Sequence, residues 1–465
     1  MSQGAARATG TILIVALSGF LMGFDGSLFT GAIIFVERKF ELTDLEIGWA
    51  VVSHTLTATL SIFLAGPLAD RFGRRTVLRG AAVAFAVSAT VAAASSSFGV
   101  LIVARLLSGL GVGAVLVASP MYIAEISPPA FRGRMVTLTQ LFVVLGIFCA
   151  FSSNYLIVRL EHVHLGWLDS LDLESSNWRW MLGVGTLPAA IYLFALFFVP
   201  ESPRWHAMHG RLEAARGILA SAHGKDFAEA ELAEVRTSLA RGHAGSDATL
   251  RELWNPALRG VLAIGLIVGV LQQITGINSV LAYATVIFER TGTTSGNDSS
   301  FMQTLMLGLV NLVATVVALL LIDRVGRRPL FIFGSAGIAL SLLITAYGFH
   351  ASGDGVSSPW VFTGLLGFVG CFAVSLGPGL WVLLSEIFPN RVRALAISCV
   401  GLINSTVCFV VQLVFPWEMK NLGGGYTFLI YAVFALIGLV LLVKMLPETR
   451  GRSLEQLEES LVRHG

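Results

Sequence analysis

Apolar runs long enough to cross a bilayer recur along nearly the whole chain, at about 11–36, 46–69, 77–97, 99–124, 134–158 and 179–200, then 259–288, 302–323, 329–350, 358–386, 394–416 and 426–446. A spanning helix needs about 20 mostly apolar residues, because no water is present in the bilayer core to satisfy stray backbone groups. Twelve such runs predict an all-α membrane protein of twelve transmembrane helices. Only 13% of the 465 residues are charged and 55% are hydrophobic, against roughly 25% charged in a soluble domain. A soluble globule is therefore excluded. The first run starts at Thr11 and is too long for a signal peptide, so it is expected to remain as a span.

The runs fall into two sets of six on either side of a polar insert rich in Ala, Glu and Arg. The organisation expected is an N-terminal six-helix bundle over 1–205, a cytoplasmic helical linker over 206–252, a C-terminal six-helix bundle over 253–450 and a cytoplasmic tail over 451–465. Within the insert, Arg211 to Ala222 and Ala228 to Leu239 read as short surface helices. Basic residues cluster after the second span (Arg71, Arg74, Arg75), the fourth (Arg132, Arg134), the eighth (Arg324, Arg327, Arg328) and the tenth (Arg391, Arg393). Basic loops face the cytoplasm, and an even number of spans then places both termini there too. The loop 159–178 on the opposite side carries Glu161, Asp169, Asp172 and Glu174, with Arg159 as its one arginine before the next span.

The chain also repeats itself. Asp70-Arg71-Phe72-Gly73-Arg74-Arg75 returns as Asp323-Arg324-Val325-Gly326-Arg327-Arg328, and Glu125-Ile126 followed by Arg132 returns as Glu386-Ile387 followed by Arg393. Pro200-Glu201-Ser202 returns as Pro447-Glu448-Thr449. Three motifs in the same order, about 250 residues apart, mark a duplicated six-span unit. Two such bundles can open a midplane site alternately to either side. The repeated glycine permits a tight interhelical turn, and the acids and arginines can pair at the inner rim. Two readings follow: these charges set topology alone, or they form a network that breaks on switching. The second is the expectation adopted.

These residues resemble the sugar porter family of the major facilitator superfamily. The resemblance rests on Gly66-Pro67-Leu68-Ala69-Asp70-Arg71-Phe72-Gly73-Arg74-Arg75, Pro120-Met121-Tyr122-Ile123-Ala124-Glu125, Pro200-Glu201-Ser202-Pro203-Arg204-Trp205, Gln272-Gln273-Ile274-Thr275-Gly276-Ile277-Asn278 and Pro447-Glu448-Thr449-Arg450-Gly451. It implies the major facilitator fold, with a sugar or polyol carried by alternating access. The chemistry of the residues points the same way. A sugar is a ring of hydroxyls, and neutral amides donate and accept at once. Gln272 and Gln273 sit mid-way along the seventh span with Asn278 beyond them, and Gln140, Asn311 and Asn404 are further amides at apolar depth. Uncompensated amides are costly there, so each should face a wet cavity or another helix. The alternative for all six is interhelical hydrogen bonding.

The resemblance also implies that Gln140, Gln272, Gln273 and Asn278 contact sugar, that Trp381 after Gly377-Pro378-Gly379 stacks on the sugar ring, and that Tyr283 belongs to an outer gate. It departs from the family pattern at Ala282-Tyr283, Leu376 and Asn404-Ser405, where further aromatics are frequent, so this side of the site is less aromatic. Two ionisable residues lie inside spans, Asp25 in the first and Arg105 in the fourth. Each costs roughly 2.5–3.5 kcal/mol at a span centre unless paired or wetted. Asp25 resembles the acid of proton-coupled members and Arg105 its partner. The implied mechanism has charged Asp25 holding Arg105, with protonation releasing the pair; a structural ion pair is the alternative.

Other classes fit less well. A proton-independent facilitator is the nearest rival, followed by a transporter-like sugar sensor. No nucleophile–base set, metal-ligand cluster or nucleotide-binding Gly-rich loop is apparent, so neither an enzyme, a cofactor nor a metal is expected. His54 is the one histidine well inside a span, and Cys149, Cys371, Cys399 and Cys408 read as apolar fillers. A net charge of +2 gives no case for nucleic acid. The expected partners are a sugar or polyol, protons and the lipid bilayer of the cell membrane, with the monomer as the working unit.

Overall fold

The computed structural model describes residues 3–128, 132–161, 173–240, 252, 256–290, 297–352, 359–389 and 392–446. Among them there are helices and no strand. The chain groups into two units, Met1–Ala32 with Ser53–Ala244, and Ile33–Val52 with Gly245–Gly465.

The first unit is built on α1 (Gln3–Phe40), α2 (Asp44–Phe72), α3 (Arg74–Ala93), α4 (Phe98–Ile126), α5 (Arg132–Glu161), α6 (Leu173–Gly183) and α7 (Thr186–Ala195). Three insert helices follow, α8 (Pro203–Met208), α9 (Leu212–His223) and α10 (Lys225–Ala240). The last two lie where the sequence predicts them, and the three together bury Ala207, Ala215, Leu219, Ala228 and Leu232 in a core of their own. The second unit contains α11 (Pro256–Ile274), α12 (Ile277–Ala282), α13 (Ala284–Arg290), α14 (Asn297–Val325), α15 (Arg327–Ser352), α16 (Pro359–Val374), α17 (Leu376–Ile387), α18 (Arg393–Asn421) and α19 (Gly423–Met445). The ends of α1 and α2 over Ile33–Val52 pack with this unit: Trp49 meets Phe409 edge to face at 6.3 Å, Lys420 pairs with Asp44 at 3.0 Å, and Arg38 pairs with Glu289.

Eleven helices among the described residues are long and apolar enough to span. The sixth expected span, 179–200, is the exception: it is divided between α6 and α7 at Val184-Gly185, and its helix ends at Ala195. Pro188 has no N–H to give the Val184 carbonyl, so the ladder cannot run through. The tenth span breaks for the same reason: Pro378 cannot bond Val374, and the chain bends at Ser375 between α16 and α17. The seventh breaks at Gly276, whose φ of +83° lies in the left-handed region that suits glycine.

Helices in a bilayer gain little from apolar contact with one another, so close approach of backbones through small residues holds them. Gly109 and Gly113 of α4 provide this against α2. A Cβ on Gly109 would sit 2.1 Å from the His54 carbonyl oxygen, and one on Gly113 2.3 Å from that of Ala58. In the same seam Thr57 donates to the Leu106 carbonyl at 2.7 Å and Ser61 to that of Leu110 at 2.9 Å. Gly19 and Gly23 of α1 meet α5 in the same way, at the Thr139 and Val143 carbonyls.

Candidate functional site

The densest polar cluster inside the second unit is assembled by the break in the seventh span. Gln272 and Gln273 end α11, the turn at Gly276 redirects the chain, and Asn278 opens α12 on the far side. Asn404, Cys408 and Gln412 follow at four-residue spacing on α18, which places them on one helical face. Gln273 donates to Asn404 Oδ1 at 3.2 Å and to Gln272 Oε1 at 3.3 Å. Asn404 donates to Gln272 Oε1 and to the Gly269 carbonyl, both at 2.8 Å. Gln272 in turn reaches the break in the tenth span, donating to the carbonyls of Leu376 at 3.0 Å and Gly377 at 3.3 Å. Asn278 donates to Gln273 Oε1 at 2.6 Å and to Cys408 Sγ at 3.3 Å.

Each side-chain amide nitrogen has two hydrogens to give, and these bonds engage both on all four residues. Gln272, Gln273 and Asn404 are buried, whereas Asn278 is half-buried and its carbonyl oxygen lies outside these bonds. A hydroxyl-rich ligand would therefore enter by donating to Asn278 or by exchanging one of its links. Cys408 also accepts from Gln412 at 2.9 Å, so it is a polar junction and not an apolar filler. The sequence holds no signal for that role, because it depends on which helix α18 meets.

The remaining expected sugar contacts are placed differently. Tyr283 is buried, stacks on Phe415 at 5.2 Å and donates to the Gln412 carbonyl at 3.1 Å. Trp381 is 47% exposed on α17, with its ring tip against Gly401. Asn311 is buried on α14, and none of the cluster's hydrogen bonds reaches it. Gln140 belongs to the first unit and is exposed on α5.

The first unit carries the ionisable group inside the spans. Asp25 of α1 and Arg105 of α4 lie close enough to interact electrostatically, and the Ser108 hydroxyl beside them donates to the Arg105 carbonyl at 3.1 Å. Asp25 Oδ2 is buried with no hydrogen-bond partner. Arg105 is buried, rests on the Phe29 ring at 4.7 Å and donates from Nη2 to His54 Nδ1 at 2.8 Å. His54 is thus part of this group, which sequence reasoning missed.

Where the basic motifs lie, Arg74 is 2% exposed and pairs with Asp70 at 2.8 Å and Glu125 at 3.0 Å. The other Glu125 oxygen accepts from Ser202. Arg75 donates to the Val199 carbonyl at 2.9 Å, while Glu201 accepts the backbone N–H groups of Arg75 and Ser202, both at 2.9 Å. Gly73 is required between them: its φ is +99°, and a Cβ there would fall 2.3 Å from Glu201 Oε2. The second copy repeats the plan, with Arg327 pairing with Glu386 at 2.8 Å, Arg328 donating to the Val443 carbonyl at 3.0 Å and Gly326 at φ +96°. Arg393 donates to the Phe388 carbonyl at 3.1 Å. Arg71 is exposed over the Phe72 ring, and Arg204 is exposed beside a cavity of about 90 Å³ that Glu125 also lines. Burial holds His206 of α8 below the usual histidine range, against the pull of Glu201. The side chains of Arg132, Asp323 and Arg324, together with the whole of Glu448 and the tail, lie outside the described residues.

The family model for "Sugar (and other) transporter" matches residues 11–461. The arabinose-proton symporter of Bacillus subtilis is 35% identical over 458 residues, covering 98% of this chain and 96% of that protein. The D-xylose-proton symporter of Escherichia coli is 31% identical, covering 96% and 94%. A solved inward-open structure of the E. coli xylose transporter XylE superposes with a TM-score of 0.82 at 30% identity, covering 97% of this chain and 99% of that one.

Proposed function

Because this chain belongs to the sugar (and other) transporter family, multi-pass helical membrane proteins of the major facilitator fold, we propose that it carries a monosaccharide or related polyol across the cell membrane by alternating access, in symport with protons. The observation that carries the reading is the four-amide cluster of Gln272, Gln273, Asn278 and Asn404, placed at two helix breaks and adapted to hydroxyl groups. Trp381 adds a stacking face and Gln140, Asn311 and Tyr283 complete the assignment, the last as gate. Asp25 takes up the proton at Oδ2. Neutral Asp25 loosens its hold on Arg105 and favours the switching of the loaded carrier, while charged Asp25 disfavours return of the empty one. Arg74 with Glu125 and Arg327 with Glu386 fasten the inner face in one state and part in the other. The working unit is a monomer in the lipid bilayer with both termini in the cytoplasm.

The test is uptake into proteoliposomes across a panel of D-xylose, L-arabinose, D-glucose and polyols, with and without an imposed pH gradient. Accumulation of one panel member that collapses with a protonophore is the expected result. Uptake that equilibrates regardless of the gradient replaces symport by facilitation, and no uptake of any panel member removes the substrate class.

A further inference from the structure

Arginine has no hydrogen-bond acceptor, so the 2.8 Å contact between Arg105 Nη2 and His54 Nδ1 assigns the proton. Arg105 donates, Nδ1 accepts, and the imidazole is neutral with its hydrogen on Nε2. The contact is held in register by the seam between α2 and α4. Gly109 brings α4 against the backbone of His54 itself, and Thr57, three residues along α2, bonds the carbonyl of Leu106, the neighbour of Arg105. Phe29 supports the guanidinium from α1. The charged group that faces His54 from α4 is Arg105, and from α1 Asp25 acts on that same arginine. Arg105 is thus shared between a titratable acceptor and a carboxylate.

We propose that His54 is a positioning residue for proton coupling: neutral, it draws Arg105 away from Asp25; protonated, it repels Arg105 and hands it to the carboxylate. The proposal rests on the symport reading for its consequence in transport. A proton on Nδ1 removes the lone pair that holds Nη2 and sets two cations side by side. Arg105 then moves toward Asp25 and favours its charged form, so Asp25 loads its proton only at lower pH. Protonation of His54 therefore lowers the pH at which the carrier is driven, and loss of that proton raises it.

Two substitutions separate this role from packing, because they shift the pH profile in opposite directions. His54→Gln keeps an acceptor that does not titrate, holds Arg105 at every pH and moves half-maximal uptake to higher pH. His54→Leu removes the acceptor, leaves Arg105 with Asp25 and moves it to lower pH. Each shift is expected to be about threefold or more in proton concentration, read with whichever of D-xylose, L-arabinose and D-glucose gives proton-driven uptake. Profiles that coincide with wild type, or shifts in one common direction, overturn the proposal. A second measurement needs neither transport nor active variants. In ¹⁵N-histidine spectra of the wild-type protein in lipid nanodiscs, the resonance that is lost in His54→Gln must show the Nε2–H tautomer at alkaline pH. Its titration midpoint must fall about tenfold in proton affinity in Asp25→Asn, which removes the anion that receives Arg105. An Nδ1–H tautomer, or a midpoint unmoved by Asp25→Asn, overturns the proposal. If wild-type uptake ignores the gradient while the spectra behave as described, symport fails and the sharing of Arg105 stands.

Discussion

Gln273 is the residue most exposed to test, because it both gives to and receives from the rest of the amide cluster. Replacing it with Ala deletes the acceptor of Asn278 and the donor to Asn404 and Gln272 in one step. Buried groups left unpaired cost about 1–3 kcal/mol each, and ligand hydroxyls lose the same partner. Gln273→Ala is expected to weaken sugar binding by about 1–3 kcal/mol, measured by calorimetry on protein that still elutes as a single folded species. Unchanged affinity there would take Gln273 out of the binding site. The amides were legible in the sequence because an uncharged polar side chain stands out against an apolar run. Cys408 and His54 were not, since a thiol or an imidazole acquires its role from a partner on another helix, and nothing in the residues around it names that partner.

Among the elements, length and apolarity fix the spans well: eleven of the twelve expected runs coincide with described helices, whole or broken, to within a few residues at most ends, and the insert helices also fall in place. The breaks were harder to read. Pro188 and Pro378 interrupt their helices, yet Pro67, Pro120 and Pro416 lie inside continuous ones. Which outcome follows depends on whether neighbouring helices satisfy the carbonyl the proline abandons. Seams give a sharper expectation. Gly113→Val would drive a branched side chain into the Ala58 carbonyl, where a Cβ has 2.3 Å of room, and overpacking of this kind costs about 1–3 kcal/mol. A clear fall in the thermal midpoint of the purified protein is the expected outcome, whereas Gly80→Ala on α3, with nothing within 4 Å of its Cβ position, should leave the midpoint in place or raise it. The turns carrying the repeated motifs allow a functional test. Glu125→Gln removes the charge that pairs with buried Arg74 while keeping the side chain's shape. Sugar affinity is expected to stay within about threefold while turnover falls and the inward and outward populations shift, as read by accessibility of introduced cysteines. Turnover and accessibility both equal to wild type would leave these charges with topology alone.

At the scale of the molecule, the coupling hypothesis converges on Asp25. Asparagine copies the protonated acid in shape and charge, so Asp25→Asn should bind sugar and exchange it between the two faces of a vesicle. It should also lose accumulation driven by a pH gradient. Counterflow and gradient-driven uptake measured side by side decide the matter, since retained accumulation would mean that the proton travels elsewhere. The duplication that produced the chain did not leave two equivalent halves. The buried carboxylate, its arginine and the histidine belong to the first copy, and the interlocked amides belong to the second. On the proposed function, the energy source and, Gln140 apart, the recognition of cargo are written in separate stretches of the gene, so that selection can act on one while the other stays fixed. A lineage meeting a new carbohydrate could retune its second half by a handful of substitutions and inherit the engine unaltered.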